Sequence, residues 1–69
     1  MKLSARNILK GTVTKITRGA VNSEVTLRLE AGTEVVSIIT NESVDSLGLK
    51  LGGSAYAVIK ASSVMIAVD

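Results

Sequence analysis

From Val21 to Glu30 the residues alternate without a break: Val21, Ser23, Val25, Leu27 and Leu29 fall on one side of an extended chain, and Asn22, Glu24, Thr26, Arg28 and Glu30 on the other. A period of two sends successive side chains to opposite faces of a strand, whereas a helix requires 3.6. This segment can bury its apolar side only as part of a sheet. Gly11–Arg18 alternates less regularly and predicts a strand joined to the next through Gly19-Ala20. Ala31-Gly32-Thr33 reads as a hairpin turn with positive φ at Gly32, leading to a third, more buried strand at Val35-Val36-Ser37-Ile38-Ile39. Ala55–Ile59 and Val64–Val68 predict strands four and five, with a short turn at Lys60-Ala61-Ser62-Ser63 reversing the chain between them.

One short stretch departs from this period. Asn41 is a suitable N-cap for a helix over Glu42–Leu47, with acids in its first turns and Gly48 as the stop; Val44 and Leu47 would face the core. Five strands with one helix between the third and fourth is the element order of an OB-like Greek-key barrel. The fold class is thus all-β, a single domain over residues 1–69, with an SH3-like barrel as the competing arrangement. Such a narrow barrel leaves no interior ligand cavity, so binding is expected on its rim or between subunits.

Composition removes whole classes of chemistry. The chain has no His, Cys, Trp, Phe or Pro, and Tyr56 is its one aromatic ring. Zinc, haem and iron–sulfur sites lack their thiolate or imidazole ligands, and Ser–His and Cys–His nucleophilic catalysis is excluded. The acids form no close pair in sequence, so the chain does not read as an enzyme. A single-strand nucleic-acid binder needs several stacking rings and a basic groove; one tyrosine and a net charge of +2 argue against that role. No signal-peptide or transmembrane run is present, which points to the cytoplasm. The apolar area so short a chain can bury barely balances the entropy of ordering it, and 46% of its residues are hydrophobic. Self-association is the expected remedy.

Charge is segregated. Lys2, Arg6, Lys10, Lys15 and Arg18 precede any acid, while Ala20–Leu49 carries five acids against Arg28 alone. Within the basic segment, Ser4-Ala5-Arg6-Asn7 offers a hydroxyl, a guanidinium and an amide among small residues. Lys60-Ala61-Ser62-Ser63 repeats the theme with an ammonium and two hydroxyls. Should these two turns meet, they would present many donors and no carboxylate. That arrangement suits a tetrahedral dianion carrying no proton, which only accepts hydrogen bonds.

Four segments in order, Ser4-Ala5-Arg6-Asn7 with Leu9-Lys10-Gly11, then Gly19–Val25, Ser43–Gly48 and Lys60–Ile66, resemble the molbindins, the small molybdate-binding Mop proteins. The likeness covers nearly the whole chain. It implies an OB-like domain assembled as a homohexamer, a trimer of dimers, that binds molybdate and often tungstate at subunit interfaces. The chain carries neither the DNA-binding nor the ATPase portion found beside related domains, so a free-standing form serving intracellular molybdenum storage or homeostasis is expected.

Carried over residue by residue, the resemblance assigns side-chain donors to Ser4, Arg6 and Lys60, backbone N–H donors to Ala5 and Ala61, and further contacts to Asn7 and Ser62. Ser43, at the start of the short helix, would reach the same anion from a neighbouring subunit. A second site on a threefold axis would use Gly19, Val21 and Asn22. Ile8 stands where the family commonly has Gln. Two other roles stand as alternatives: an interaction module regulated by anion occupancy, and an OB-type nucleic-acid binder.

Overall fold

A computed structural model describes residues 1–69. Four strands, β1 (Asn7–Arg18), β2 (Asn22–Leu29), β3 (Glu34–Thr40) and β4 (Ser54–Ile59), form one antiparallel sheet in the order β3-β2-β1-β4. The helix α1 (Asn41–Ser46) lies between β3 and β4. The expected all-β, OB-like class and order of elements hold, with four strands in place of five.

The irregular alternation of β1 has a structural cause. Val13 pairs with Leu27 and Lys15 with Thr26, so the register slips at Thr14. A bulge of this kind inserts one residue and switches the facing side chains. Val13 and Ile16, three apart, thereby point to the same interior. Glycine is required at position 11, where a Cβ would lie 2.9 Å from the Arg28 carbonyl oxygen. The sheet curls around a small core of Val13, Val25, Leu27 and Val44.

Several expectations need correction. Val64–Val68 is not a strand: Ala61–Ser63 forms a 3-10 turn, and Val64 leaves it in extended conformation without pairing to either edge. This tail is wholly exposed, with Met65 at 92%. An alternating apolar segment can become a strand only where an edge accepts it, and the 3-10 turn, unlike a hairpin, does not fold the tail back onto β4. β3 is an edge strand rather than a more buried one, and Val36 and Ile38 on its outer side face solvent. Val44 of α1 is buried as expected, but Leu47, which follows the helix, is 68% exposed. Thr40, not Asn41, caps the helix, its hydroxyl accepting from the Ser43 N–H at 3.0 Å.

The barrel is also open. β3 and β4 do not pair, and between these two edges lies a cleft of about 620 Å³ whose walls are almost entirely apolar, including Val35, Ile39, Leu47 and Ala57. The expectation of no interior cavity fails for the same reason as the fifth strand: the element that would fill this gap is absent from the chain's own sheet.

Candidate functional site

The register of β1 on β4 decides where the two donor-rich tetrapeptides lie. Asn7 pairs with Ile59, so Ser4-Ala5-Arg6 runs into the ladder at the point where Lys60-Ala61-Ser62 runs out of it. Asn7 Nδ2 donates to the Ile59 carbonyl at 3.2 Å and ties the two segments together. Arg6 and Lys60 form no ion pair, and Ser4, Arg6, Lys60, Ala61 and Ser62 are exposed. The N–H groups of Ala5 and Ala61 donate to no backbone acceptor. Asn7 is the one residue of this group whose side chain is already engaged. The result is a cluster of cationic, hydroxyl and amide donors with no acid in either segment.

Ser43 is not brought to this cluster within one chain. α1 follows the end of β3, and Asn22 pairs there with Thr40, beside the end of β1 at Arg18. β1 has twelve residues, so at about 3.3 Å each its ends are separated by roughly 35 Å along the strand. No hydrogen bond joins Ser43 to Arg6 or Lys60. Thr40 Oγ1 donates to Ser43 Oγ at 2.8 Å while accepting from the Ser43 N–H. With one lone pair so used, Ser43 retains its own O–H as a donor, strengthened by the chain of bonds behind it.

The hairpin residues Gly19, Val21 and Asn22 lie at this same end of β1. Gly19 N–H donates to the Asn22 carbonyl at 2.7 Å, and a Cβ at Gly19 would sit 2.9 Å from that oxygen. Val21 and Asn22 are exposed, and the N–H groups of Ala20 and Val21 bond to no backbone acceptor. Sequence reasoning missed Thr40 and Asn41, whose side chains hold Ser43 and the hairpin respectively. Asn41 was legible only as a cap, because its partners, Gly19 and Ser23, are about twenty residues away.

Arg18 forms a two-pronged pair with Asp45, Nη1 to Oδ1 at 3.0 Å and Nη2 to Oδ2 at 3.3 Å, linking the end of β1 to α1. The hydrogen bond to Asp45, and then its charge, raise the Arg18 pKa above its ordinary value. Arg18 is thereby the one base of the N-terminal segment whose charge is paired.

Residues 3–66 match the TOBE domain family. Over 66 residues the chain is 46% identical to molybdenum-pterin-binding protein 2 of Clostridium pasteurianum, covering 96% of this chain and 97% of that protein. The chain belongs to the TOBE family, among its molybdenum-pterin-binding Mop proteins, the molbindins. This family consists of binding proteins rather than enzymes. The solved structure of MopII from C. pasteurianum superposes with a TM-score of 0.92 at 43% identity, over 97% of this chain and 100% of that one. The cytoplasmic molybdate-binding protein ModG, with molybdate bound, superposes with a TM-score of 0.91 at 63% identity, over 94% of this chain and 46% of ModG. The chain spans only 25% of the molybdenum transport protein ModE of Herbaspirillum seropedicae, to which it is 48% identical over 67 residues. The Mop unit thus occurs both alone and within longer proteins. No helix of this family member is long and apolar enough to cross a membrane.

Proposed function

We propose that this chain binds molybdate, and tungstate by the same chemistry, between subunits of a homo-oligomer. The observation that carries this reading is the Asn7–Ile59 register, which gathers Ser4, Ala5, Arg6, Asn7, Lys60, Ala61 and Ser62 at one end of the β1–β4 ladder. Molybdate at neutral pH is a tetrahedral dianion with acceptors on every vertex. Charge-assisted bonds from Arg6 and Lys60 provide strength, and the hydroxyls and backbone N–H groups surround the remaining oxygens. The molybdate bound by ModG, a structural relative, supports the choice of ligand.

Ser43 and the Gly19–Asn22 hairpin enter through assembly. Ser43 lies at the other end of β1, so in this reading its free hydroxyl proton reaches the anion held by another subunit. The exposed hairpin forms the second site where three copies converge. Self-association is supported by the fifteen large apolar side chains left exposed, by the unpaired Val64–Val68 tail and by the open cleft between β3 and β4. In this reading the assembly is a hexamer, a trimer of dimers, and the chain serves as a store or buffer of molybdenum in the cytoplasm, a setting supported by the description of ModG as a cytoplasmic molybdate-binding protein.

Equilibrium dialysis of the purified oligomer against molybdate, sulfate and phosphate tests the reading. Selective retention of molybdate is the expected result. Equal retention of all three anions, or of none, would sink it. A second reading, an interaction module that changes partners on anion occupancy, is favoured by the presence of this unit within the longer ModE. A protein captured only with, or only without, molybdate would support it over simple storage.

A further inference from the structure

We propose that Asn41 is a positioning residue that turns the Gly19–Asn22 hairpin into an anion-facing surface and couples it to the Ser43 hydroxyl. This rests on reading both as binding elements. Asn41 bonds twice to the hairpin and once to the strand that follows it. Its backbone N–H donates to the Val21 carbonyl at 2.8 Å, its Nδ2 donates to the Gly19 carbonyl at 2.9 Å, and its Oδ1 accepts from the Ser23 hydroxyl at the base of β2. Gly19 N–H donates to the carbonyl of Asn22, so of the four hairpin carbonyls only that of Ala20 accepts no bond.

The consequence is electrostatic. An exposed turn ordinarily presents carbonyl oxygens as well as amides, and a carbonyl dipole repels an anion. Here the carbonyls of Gly19, Val21 and Asn22 accept hydrogen bonds within the chain, which leaves one unpartnered carbonyl, that of Ala20, against the two unpartnered N–H groups of Ala20 and Val21. Concave or turn backbone that turns N–H groups toward a ligand is a general anion-binding device, and occupying three of the four carbonyls tips this turn that way. Asn41 also follows directly on Thr40, whose hydroxyl holds Ser43 in place. One side chain therefore sets the hairpin, and the adjoining residue sets Ser43, on the same turn of backbone. A shift of either element moves the other.

Ser23 supplies the control. Its hydroxyl is buried at 1% exposure and bonds only to Asn41 Oδ1. Ser23→Ala removes this bond but leaves Asn41 Nδ2 on the Gly19 carbonyl. Asn41→Ala removes both. Both variants are expected to lower the melting temperature of the oligomer. In equilibrium dialysis with molybdate, Asn41→Ala should bind about tenfold more weakly, the scale of one lost hydrogen bond with its orientation, while Ser23→Ala stays within about twofold. Equal affinity of Asn41→Ala and wild type would overturn the proposal, as would equal weakening in both variants, since loss would then follow stability. If the wild-type protein binds no molybdate, the function proposed above fails, and amide hydrogen exchange decides the role of Asn41 by itself. Faster exchange at the hydrogen-bonded amides of Gly19 and residue 41 in Asn41→Ala than in Ser23→Ala supports it, and equal exchange refutes it.

Discussion

At the end of β1 that leads into β2, Asn41, Thr40, Ser23 and Arg18 all bond across elements, and three of the four hairpin carbonyls accept bonds. At the other end, beyond the β1–β4 ladder, a single side-chain bond from Asn7 to Ile59 joins two segments whose charged and hydroxyl side chains are free. The braced end presents few donors held in fixed positions; the open end presents many donors held loosely. Donors without intrachain partners add nothing to the stability of one chain, so they remain for a ligand or a second subunit. Bonds that fix a backbone turn stabilise the chain and orient what little it exposes. The two ends should therefore respond differently to substitution.

The sharpest separation is expected from Arg6→Ala. Loss of a charge-assisted donor should weaken molybdate binding between about tenfold and a hundredfold by dialysis, with the melting temperature nearly unchanged. A large drop in melting temperature would mean that the open end is structural. Val44→Ala tests the reverse case. This side chain is buried at 3% between α1 and the sheet, and truncating it should cost about 2 kcal/mol in chemical denaturation with the oxyanion donors of the open end intact.

Thr40→Val should affect both properties, because one hydroxyl caps α1 and holds Ser43. About 1 kcal/mol of stability is expected to be lost, together with a roughly threefold weaker molybdate isotherm. A change in one property alone would separate the cap from the site. The smallest effect is expected for Arg18→Ala. Its pair with Asp45 is exposed on both sides and screened by salt. A base whose pKa is raised on folding contributes stability that is complete below its unfolded pKa and is lost only as pH rises through the folded one. For Arg18 that window lies in strong alkali, so melting curves of wild type and Arg18→Ala should stay parallel from pH 5 to pH 9 (roughly the neutral range). Divergence there would implicate another titrating group.

Much of the fold was legible because alternation is a local property. Val21–Glu30 is a strand in any sheet that can cover one side of it, and Gly32 and Gly48, at φ 89° and 63°, occupy the turn and the helix stop that their positions suggested. The bulge at Thr14 was not legible, since the slip depends on what β2 and the loop at Gly52–Gly53 offer to the Val13 backbone. The open-end donors could be listed from Ser4–Asn7 and Lys60–Ser62, but their meeting is a consequence of the β1–β4 register. Thr40 as the cap and Asn41 as the brace of the hairpin were not legible, because these roles depend on partners brought together only by folding.

What the amino-acid sequence determined by itself was chemical: no thiolate or imidazole, a basic N-terminal stretch, small residues beside Arg6 and Lys60, and a period of two that commits the chain to a sheet. Those are properties of residues and their immediate neighbours, and folding cannot change them. The tertiary structure decided which donors share a surface, which carbonyls are turned away, and that Val64–Val68 and the cleft between β3 and β4 are left without a partner in their own chain. These depend on strand register and on whether an edge is available, and pairing across distant residues is set by the whole sheet rather than by any segment of it.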